Sequence, residues 1–149
     1  MRLKSLYRTT AALAVLAVTA AGALAADADN GKNLFKKCMA CHRIGDGAAN
    51  LVGPVLTGVV GRKAGTFEGF SYSTTMKNAG EQGLVWDEAA IAAYLPDPGE
   101  FLKKYLTDKG KPDLATGDAK MKFKLTKADG SPDPDSIADV IAYLQTFPK

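Results

Sequence analysis

The sequence predicts an all-α protein of about five short helices joined by long loops. Apolar residues recur at helical spacing in several separate segments, and proline or glycine residues interrupt them. No segment has the alternation of apolar and polar residues typical of a half-buried strand, and we find no internal repeat. The only cysteines and the only histidine of the chain fall together within residues 38–42. These observations indicate a small helical domain built around one chemical site.

Five segments carry helical signals. They cover residues 31–37, 73–79, 87–95, 101–105 and, starting within 131–135, the stretch that reaches 144. Asp29 or Asn30 is the expected cap of the first helix, and Asp87 is the expected cap of the third, because a carboxylate or amide oxygen accepts from free backbone N–H groups. Pro96 and Pro98 are expected to stop the third helix.

Two stretches between these helices read as loops. A series of glycines and Pro54 punctuates residues 43–65, which cannot build a core of their own. Such a stretch is easier to explain as a wrap around a large, rigid, apolar object. Residues 107–119 are polar and rich in glycine, proline, aspartate and lysine, so we expect a surface loop there.

Residues 38–42 read Cys-Met-Ala-Cys-His, the attachment signature of a c-type haem. Cys38 and Cys41, three positions apart, can each form a thioether with one vinyl group of the same porphyrin. The adjacent His42 then lies under the ring and can ligate the iron from one face. The predicted cofactor is one covalently bound haem c.

Three other interpretations of this run remain open. A structural zinc site would need four ligands, and beyond Cys38, Cys41 and His42 the sequence offers only carboxylates. A thiol–disulfide redox pair is expected in a βαβ context, which the pattern does not predict. A structural disulfide gives the histidine no reason to follow directly.

Residues 1–25 have the pattern of a secretory signal peptide. A basic start precedes an apolar stretch and an A-x-A exit, and the stretch is shorter than the roughly 20 residues of a membrane-spanning helix. An uncleaved anchor is the alternative. Cleavage after Ala25 leaves residues 26–149 as one domain, which we expect to be a periplasmic monomer without stable membrane insertion.

The charge distribution argues against a nucleic-acid partner. Three of the 19 basic residues, and none of the 16 acidic ones, lie in the predicted signal peptide. The predicted mature chain is therefore balanced in charge, and its net charge offers nothing to attract phosphate.

The second axial position of the haem iron has more than one candidate. Met39 lies inside the attachment turn and cannot reach the other face. Met121 stands between two lysines after a flexible loop, which is unusual for a core methionine, whereas Met76 sits near aromatic residues. The sequence favours Met121 and leaves Met76 open.

Several further motifs occur in a fixed order along the chain. They are Gly53-Pro54, Gly61-Arg62-Lys63, Gly69-Phe70-Ser71-Tyr72, Trp86, Tyr94-Leu95, Pro98, Lys120-Met121-x-Phe123 and the run DVIAYL at 139–144. In these motifs, and over nearly all of residues 26–149, the chain resembles the small c-type cytochromes with His/Met ligation, most closely the bacterial cytochrome c2 group. The resemblance implies a small cytochrome c fold wrapped around one covalently bound haem.

The resemblance also implies roles for individual residues. Met121 would be the distal ligand, and the Pro54 carbonyl would accept the other N–H of His42. Arg62, Tyr72 and Trp86 would surround the haem propionates, and Tyr94 would lie near the Met121 sulphur. Gly31 and Phe35 would pack on Val140 and Tyr143, where the first and last helices cross.

The function that the resemblance implies is one-electron transport, not enzymatic catalysis. Its expected partners are the cytochrome bc1 complex, a photosynthetic reaction centre and a terminal oxidase. Lysines cluster near Met121 and could dock on acidic faces of these complexes; they include Lys120, Lys122, Lys124, Lys103 and Lys104. An ordinary solvated surface is the alternative for these lysines. A gas-binding or peroxidase-like haem protein with a labile distal ligand, and a thiol oxidoreductase, are the alternative functions.

Overall fold

The computed structural model describes residues 25–149, which form five α-helices around a cavity. The helices are α1 (Ala28–Phe35), α2 (Thr74–Glu81), α3 (Glu88–Tyr94), α4 (Pro98–Asp108) and α5 (Pro134–Gln145), with single 3-10 turns at Cys38–Ala40 and Pro112–Leu114. Extended pairing within the described residues is confined to two isolated bridges. The all-α prediction is confirmed.

The predicted signal peptide lies outside the described residues, apart from Ala25. Within the described part of the chain, no helix combines the length and apolar character needed to cross a membrane.

Side-chain caps fix where the helices begin. Asp87 caps α3 as predicted, and its carboxylate accepts from the backbone N–H of Ala90 at 2.7 Å. The predicted cap of α1 is wrong. Asp27, with an extended backbone, accepts from the N–H groups of both Asp29 and Asn30, so the helix begins earlier than expected.

The helix after Pro98 differs most from the prediction. Pro98 does not only end the segment before it; it occupies the first turn of α4, where a missing N–H costs nothing. Asp97 caps this helix by accepting from Glu100 N–H at 3.2 Å. The helix runs 11 residues to Asp108, and therefore enters the stretch predicted as loop.

α1 crosses α5 at the closest helix–helix contact. A Cβ atom at Gly31 would lie 1.9 Å from the carbonyl oxygen of Asp139, so only glycine permits this approach. The rings of Phe35 and Tyr143 pack with centroids 5.3 Å apart. The predicted crossing of the first and last helices is confirmed by these contacts.

The remaining helices close the other side of the core. α4 packs on α2 and α3, and α3 also packs on α5. Leu102 and Leu106 of α4 are fully buried among these elements. These helices do not cover the whole cavity. Residues of the 43–65 stretch line the remaining wall, so this stretch wraps the cavity as predicted.

Candidate functional site

One cavity of about 400 Å³ gathers residues from most of the chain. Its wall is mainly apolar and is contributed by the attachment turn, the residue 43–65 loop, the helices and the segment after α4. Nine predicted site residues line it: Cys38, Cys41, His42, Pro54, Arg62, Tyr72, Trp86, Tyr94 and Met121. The fold thus brings together residues that are up to 83 positions apart in the sequence.

The two thiols lie at the cavity wall on a tight turn that follows α1. The N–H groups of Cys41 and His42 both donate to the carbonyl oxygen of Cys38, at 3.0 and 2.9 Å. Both cysteines are half-buried and not joined in a disulfide. Burial, together with the neighbouring Cys41, raises the pKa of the Cys38 thiol. Thiol oxidoreductases lower this pKa to form a thiolate, so the turn does not favour that alternative.

His42 is held by the middle of the residue 43–65 stretch, the Gly-rich loop. Its Nδ1 lies 2.7 Å from the carbonyl oxygen of Pro54. Because a carbonyl only accepts, this contact requires the proton on Nδ1 and leaves the Nε2 lone pair for a metal. Burial lowers the pKa of His42, with the Pro54 contact acting in the opposite direction, so burial favours the neutral imidazole.

Gly53 explains why the loop can lie so close to this ring. A Cβ atom at this position would fall 2.4 Å from Cε1 of His42, well inside contact distance. Glycine is required here for close approach, and not for an unusual backbone angle.

Arg62 places a buried cation beside the cavity. The residue is 9 % exposed, and its guanidinium donates to the carbonyl oxygens of Val55 at 2.9 Å and Thr57 at 3.5 Å. No carboxylate among the described residues forms a salt bridge with it. Burial lowers the pKa of Arg62, while the nearby Tyr72 acts in the opposite direction. A buried cation without an anionic partner is costly, so this group is suited to a carboxylate ligand.

Aromatic rings form much of the remaining wall. Trp86 and Tyr94 meet edge to face with centroids 4.8 Å apart, and Tyr94 packs against Phe101 at 5.8 Å. Burial raises the pKa of Tyr94, and burial likewise raises the pKa of Tyr72. Both phenols therefore stay neutral and can serve only as hydrogen-bonding groups.

Two methionines reach the cavity. Met121 lies in the segment after α4 and is half-buried, whereas Met76 lies in α2 and is 9 % exposed. Met39, by contrast, is largely exposed and does not line the cavity. The structure therefore keeps both of the thioethers that the sequence left as candidates.

The similarity of this chain to known proteins extends over most of its length. The family profile for cytochrome c matches residues 28–148. This chain belongs to the cytochrome c family. It is 57 % identical to cytochrome c2 iso-1 of Rhodospirillum centenum over 121 residues, 81 % of this chain and 96 % of that protein.

Solved cytochrome c2 structures agree with this assignment. The cytochrome c2 of Rhodospirillum centenum is 52 % identical and superposes with a TM-score of 0.77, covering 83 % of this chain and 99 % of that one. Ferricytochrome c2 of Rhodopseudomonas palustris is 53 % identical with a TM-score of 0.73, covering 81 % and 98 %. The predicted resemblance and fold are confirmed.

Members of the cytochrome c family are electron carriers, not enzymes, and carry one covalently bound haem c. The cavity of this cytochrome fits that group. It is large and apolar, with two unlinked thiols, an imidazole and two thioethers at its wall. The Arg62 guanidinium, which forms no salt bridge among the described residues, suits a propionate carboxylate of that group.

The lysines predicted for docking differ in position. Lys120 and Lys122 line the cavity, and Lys120 donates to the carbonyl oxygen of Ser71. The other three do not line it. Within residues 25–149 the exposed ion pairs are Lys103–Glu100, Lys104–Asp108, Lys122–Asp118 and Lys124–Asp97. The positive surface is therefore centred on Lys120 and is weaker than the lysine count suggests.

Sequence reasoning missed two apolar side chains at the mouth of the cavity. Val52 is 75 % exposed and Phe123 is 39 % exposed, and both line the cavity. In the sequence, Phe123 is notable only as part of the motif around Met121. Val52 stands in a stretch assigned to loop, where no periodic pattern could single it out.

Proposed function

We propose that this cytochrome is a periplasmic one-electron carrier between membrane redox complexes, from the cytochrome bc1 complex to a photosynthetic reaction centre or a terminal oxidase. The observation that supports it most is the single cavity that receives two thiols, an imidazole and a thioether. The similarity to cytochrome c2 proteins of purple bacteria supports the compartment and the class of partner.

When bound, haem c supplies the one-electron couple of its iron. Cys38 and Cys41 would hold it by thioether bonds, and His42 and Met121 would ligate the iron. With His42 and Met121 both bound to the iron, no position would be open for a substrate. The soft Met121 sulphur would favour ferrous iron and so would raise the potential.

Neighbouring groups would orient and tune this site. Pro54 would hold His42 in the tautomer that leaves Nε2 free. Arg62, Tyr72 and Trp86 would surround the propionates, and Tyr94 would lie near the Met121 sulphur. The apolar wall disfavours the extra positive charge of the ferric state, which adds to the effect of Met121.

Docking would use the rim of the cavity. Lys120 and Lys122 supply positive charge beside the apolar Val52 and Phe123. The ion pairs of Lys103, Lys104 and Lys124 are exposed, hence weak, and can be exchanged for acidic groups of a partner. Charge of this kind steers association and keeps it brief.

A double variant tests this surface. With Lys120→Gln and Lys122→Gln, the rate of reduction by a purified bc1 complex should fall at low salt and depend less on salt than in the wild type. Lys32→Gln with Lys63→Gln is the matched control, because both residues are exposed and neither lines the cavity. If the wild type and the Lys120→Gln, Lys122→Gln variant showed the same salt dependence, the proposed docking surface would be contradicted.

Export would remove residues 1–25. The basic, apolar and small-residue regions of this segment support cleavage after Ala25. Mass spectrometry of the protein purified from the periplasm should give residues 26–149 plus one haem. A mass that includes the first 25 residues would indicate the uncleaved anchor.

The absorption spectrum tests the central assignment. In the oxidised protein a sulphur-to-iron charge-transfer band should be present, and Met121→Ala should abolish it. The potential should fall on the order of 0.1 V, within the span of about 0.8 V that axial ligands control. The exposed Met39→Ala is the control and should change neither property. Rapid binding of carbon monoxide to the reduced wild type would instead favour a gas-binding protein.

A further inference from the structure

The loop that ends in Met121 is fastened to α2 by side chains that no part of the proposed carrier function uses. We call residues 109–121 the Met121 loop. We propose that Thr75 and Asn78 of α2 position Met121 by clamping this loop, and thereby set how readily a small ligand displaces the Met121 sulphur from iron. The inference rests on the proposed ligation by Met121.

Two hydrogen bonds form the clamp. The Thr75 hydroxyl donates to the carbonyl oxygen of Thr116 and lies 3.4 Å from that of Gly117. The side-chain amide of Asn78 donates to the carbonyl oxygen of Leu114 at 2.9 Å. Thr75 is only 1 % exposed, so water cannot replace its hydroxyl without opening the contact.

The loop has few other hydrogen bonds to the rest of the fold, although its 3-10 turn also packs on α4. Lys120 adds a bond to the carbonyl oxygen of Ser71, and its ammonium lies 5.8 Å from the centroid of the Phe70 ring. From residue 112 to Met121, every long-range hydrogen bond of the described structure leads to residues 71–78. The position of Met121 therefore depends on α2 and the residues just before it.

α2 is a rigid support for this clamp. The Ser73 hydroxyl caps the helix by accepting from Met76 N–H at 3.3 Å. A Cβ at Gly80 would lie 2.0 Å from the carbonyl oxygen of Ala64, so the helix is packed directly against the backbone of the Gly-rich loop. Because α2 cannot follow the loop outward, moving Met121 away from the cavity must break the Thr75 and Asn78 bonds.

The opening of the loop can be measured with imidazole, which binds ferric haem iron only when the sixth position is vacated. In the ferric holoprotein, Thr75→Val keeps the shape of the side chain and removes the donor, which leaves the Thr116 carbonyl unpaired. We expect imidazole to bind about tenfold more tightly, the effect of losing one buried hydrogen bond. Thr75→Ser retains the hydroxyl and should restore affinity to near the wild-type value.

Thr57→Val is the matched control for general destabilisation. The Thr57 hydroxyl is also part-buried; it accepts from Gly45 N–H at 2.8 Å and donates to the Gly45 carbonyl at 3.2 Å, but on the His42 side. This variant should lower the thermal midpoint and leave the affinity for imidazole unchanged. Equal tightening in Thr57→Val and Thr75→Val would overturn the clamp.

Asn78→Ala is a second, milder variant, because Asn78 is only half-buried. Its expected tightening is about threefold, and it decides the question if Thr75→Val does not fold. Unchanged imidazole affinity in both α2 variants, with the charge-transfer band present in the wild type, would overturn the clamp alone. A wild type without that band would remove the Met121 ligation and the clamp together.

Discussion

The two sides of the haem cavity are built in different ways. On the His42 side, residues 42–57 are fastened to each other and to the attachment turn by contacts across short sequence distances: His42 to Pro54 and Gly45 to Thr57 each span 12 residues. Within the described residues, only the later part of this loop, from Gly58 to Ala64, bonds to distant parts of the chain. On the other side, the Met121 loop is fastened by contacts that span 36 to 49 residues. The immediate surroundings of His42 are therefore specified locally, whereas those of Met121 depend on the tertiary fold.

This difference gives the two sides of the cavity different roles in an electron carrier: one side holds its residue in place, and the other can open. The contact with Pro54 fixes His42 beside Cys38 and Cys41, so this imidazole stays in place in any state of the fold that keeps the loop. The Met121 loop has few bonds and no core of its own, so it is the side on which the site can open. Local opening draws on the least stable segments of a protein.

The largest expected effect is on the His42 side. Gly53→Ala places a Cβ 2.4 Å from Cε1 of His42 and forces the ring or the loop to move. We expect the free energy of unfolding of the holoprotein to fall by about 3 kcal/mol, the upper range for overpacking. Chemical denaturation followed by absorption and circular dichroism measures it.

Gly99→Ala is the control for this substitution. Gly99 lies in the first turn of α4, where an added Cβ would be 3.7 Å from its nearest neighbour. It should not destabilise the protein and can stabilise it by up to about 1 kcal/mol, since alanine is the better helix former. A Gly53→Ala protein as stable as the Gly99→Ala protein would contradict the tight packing of the loop on His42.

A smaller effect is expected when hydrogen exchange of backbone amides is compared between the two loops. The N–H groups of Gly53 and Leu56 donate to the carbonyl oxygens of Cys41 and Arg43 at 2.8 and 2.9 Å. Within the described residues, those of Thr116 and Gly117 have no hydrogen-bond partner. Native-state hydrogen exchange should therefore be at least about tenfold slower for the first pair. Equal protection would mean that both loops open together.

The smallest effect concerns the segment that follows Met121. Asp97 caps α4 and pairs with Lys124, and the hydrogen bond from Lys124 is the main cause that lowers the pKa of Asp97. A lowered pKa in the folded state stabilises the protein above the unfolded value, and this contribution is lost as the pH falls through the folded pKa. Asp97→Asn retains a capping oxygen and removes only the ion pair.

We expect Asp97→Asn to cost at most about 0.5 kcal/mol at neutral pH, because solvent screens this exposed pair. The difference from wild type should vanish as the pH falls below the lowered pKa of Asp97. Thermal melts across this pH range measure it. The Lys124→Gln variant should lose the same amount, and the double variant no more; an additive double variant would show that the pair does not interact.

Much of this molecule could be predicted because its signals are local. The C-x-x-C-H run, the Asp87 cap and the apolar face of α5 are each encoded within a short segment of the sequence. The helix at residues 101–105 was predicted, but not its full length as α4, because a proline after one helical segment can either end that segment or occupy the first turn of the next helix. The cap of α1 was misplaced because Asp27, Asp29 and Asn30 are all capping residues, and only the backbone angles distinguish them.

The Met121 side could not be derived in the same way. Thr75 and Thr116 are separated by 41 residues, and neither belongs to a recognisable motif. Of the lysine ion pairs in the described structure, only Lys124–Asp97 has a related reason, because it spans 27 residues and no helical spacing predicts it. The other three join positions three or four residues apart. The axial roles of His42 and Met121 remain predictions that the spectrum of the oxidised protein tests.

The contact of Gly31 with Asp139 joins the two ends of the described chain. A ribosome that stops before residue 134 therefore releases a polypeptide whose α1 has no partner helix, however complete its cysteine turn. Closure of the domain must wait until α5 is present. A copy that lacks its C-terminal helix therefore cannot complete the fold, and only a chain with both ends forms the closed domain.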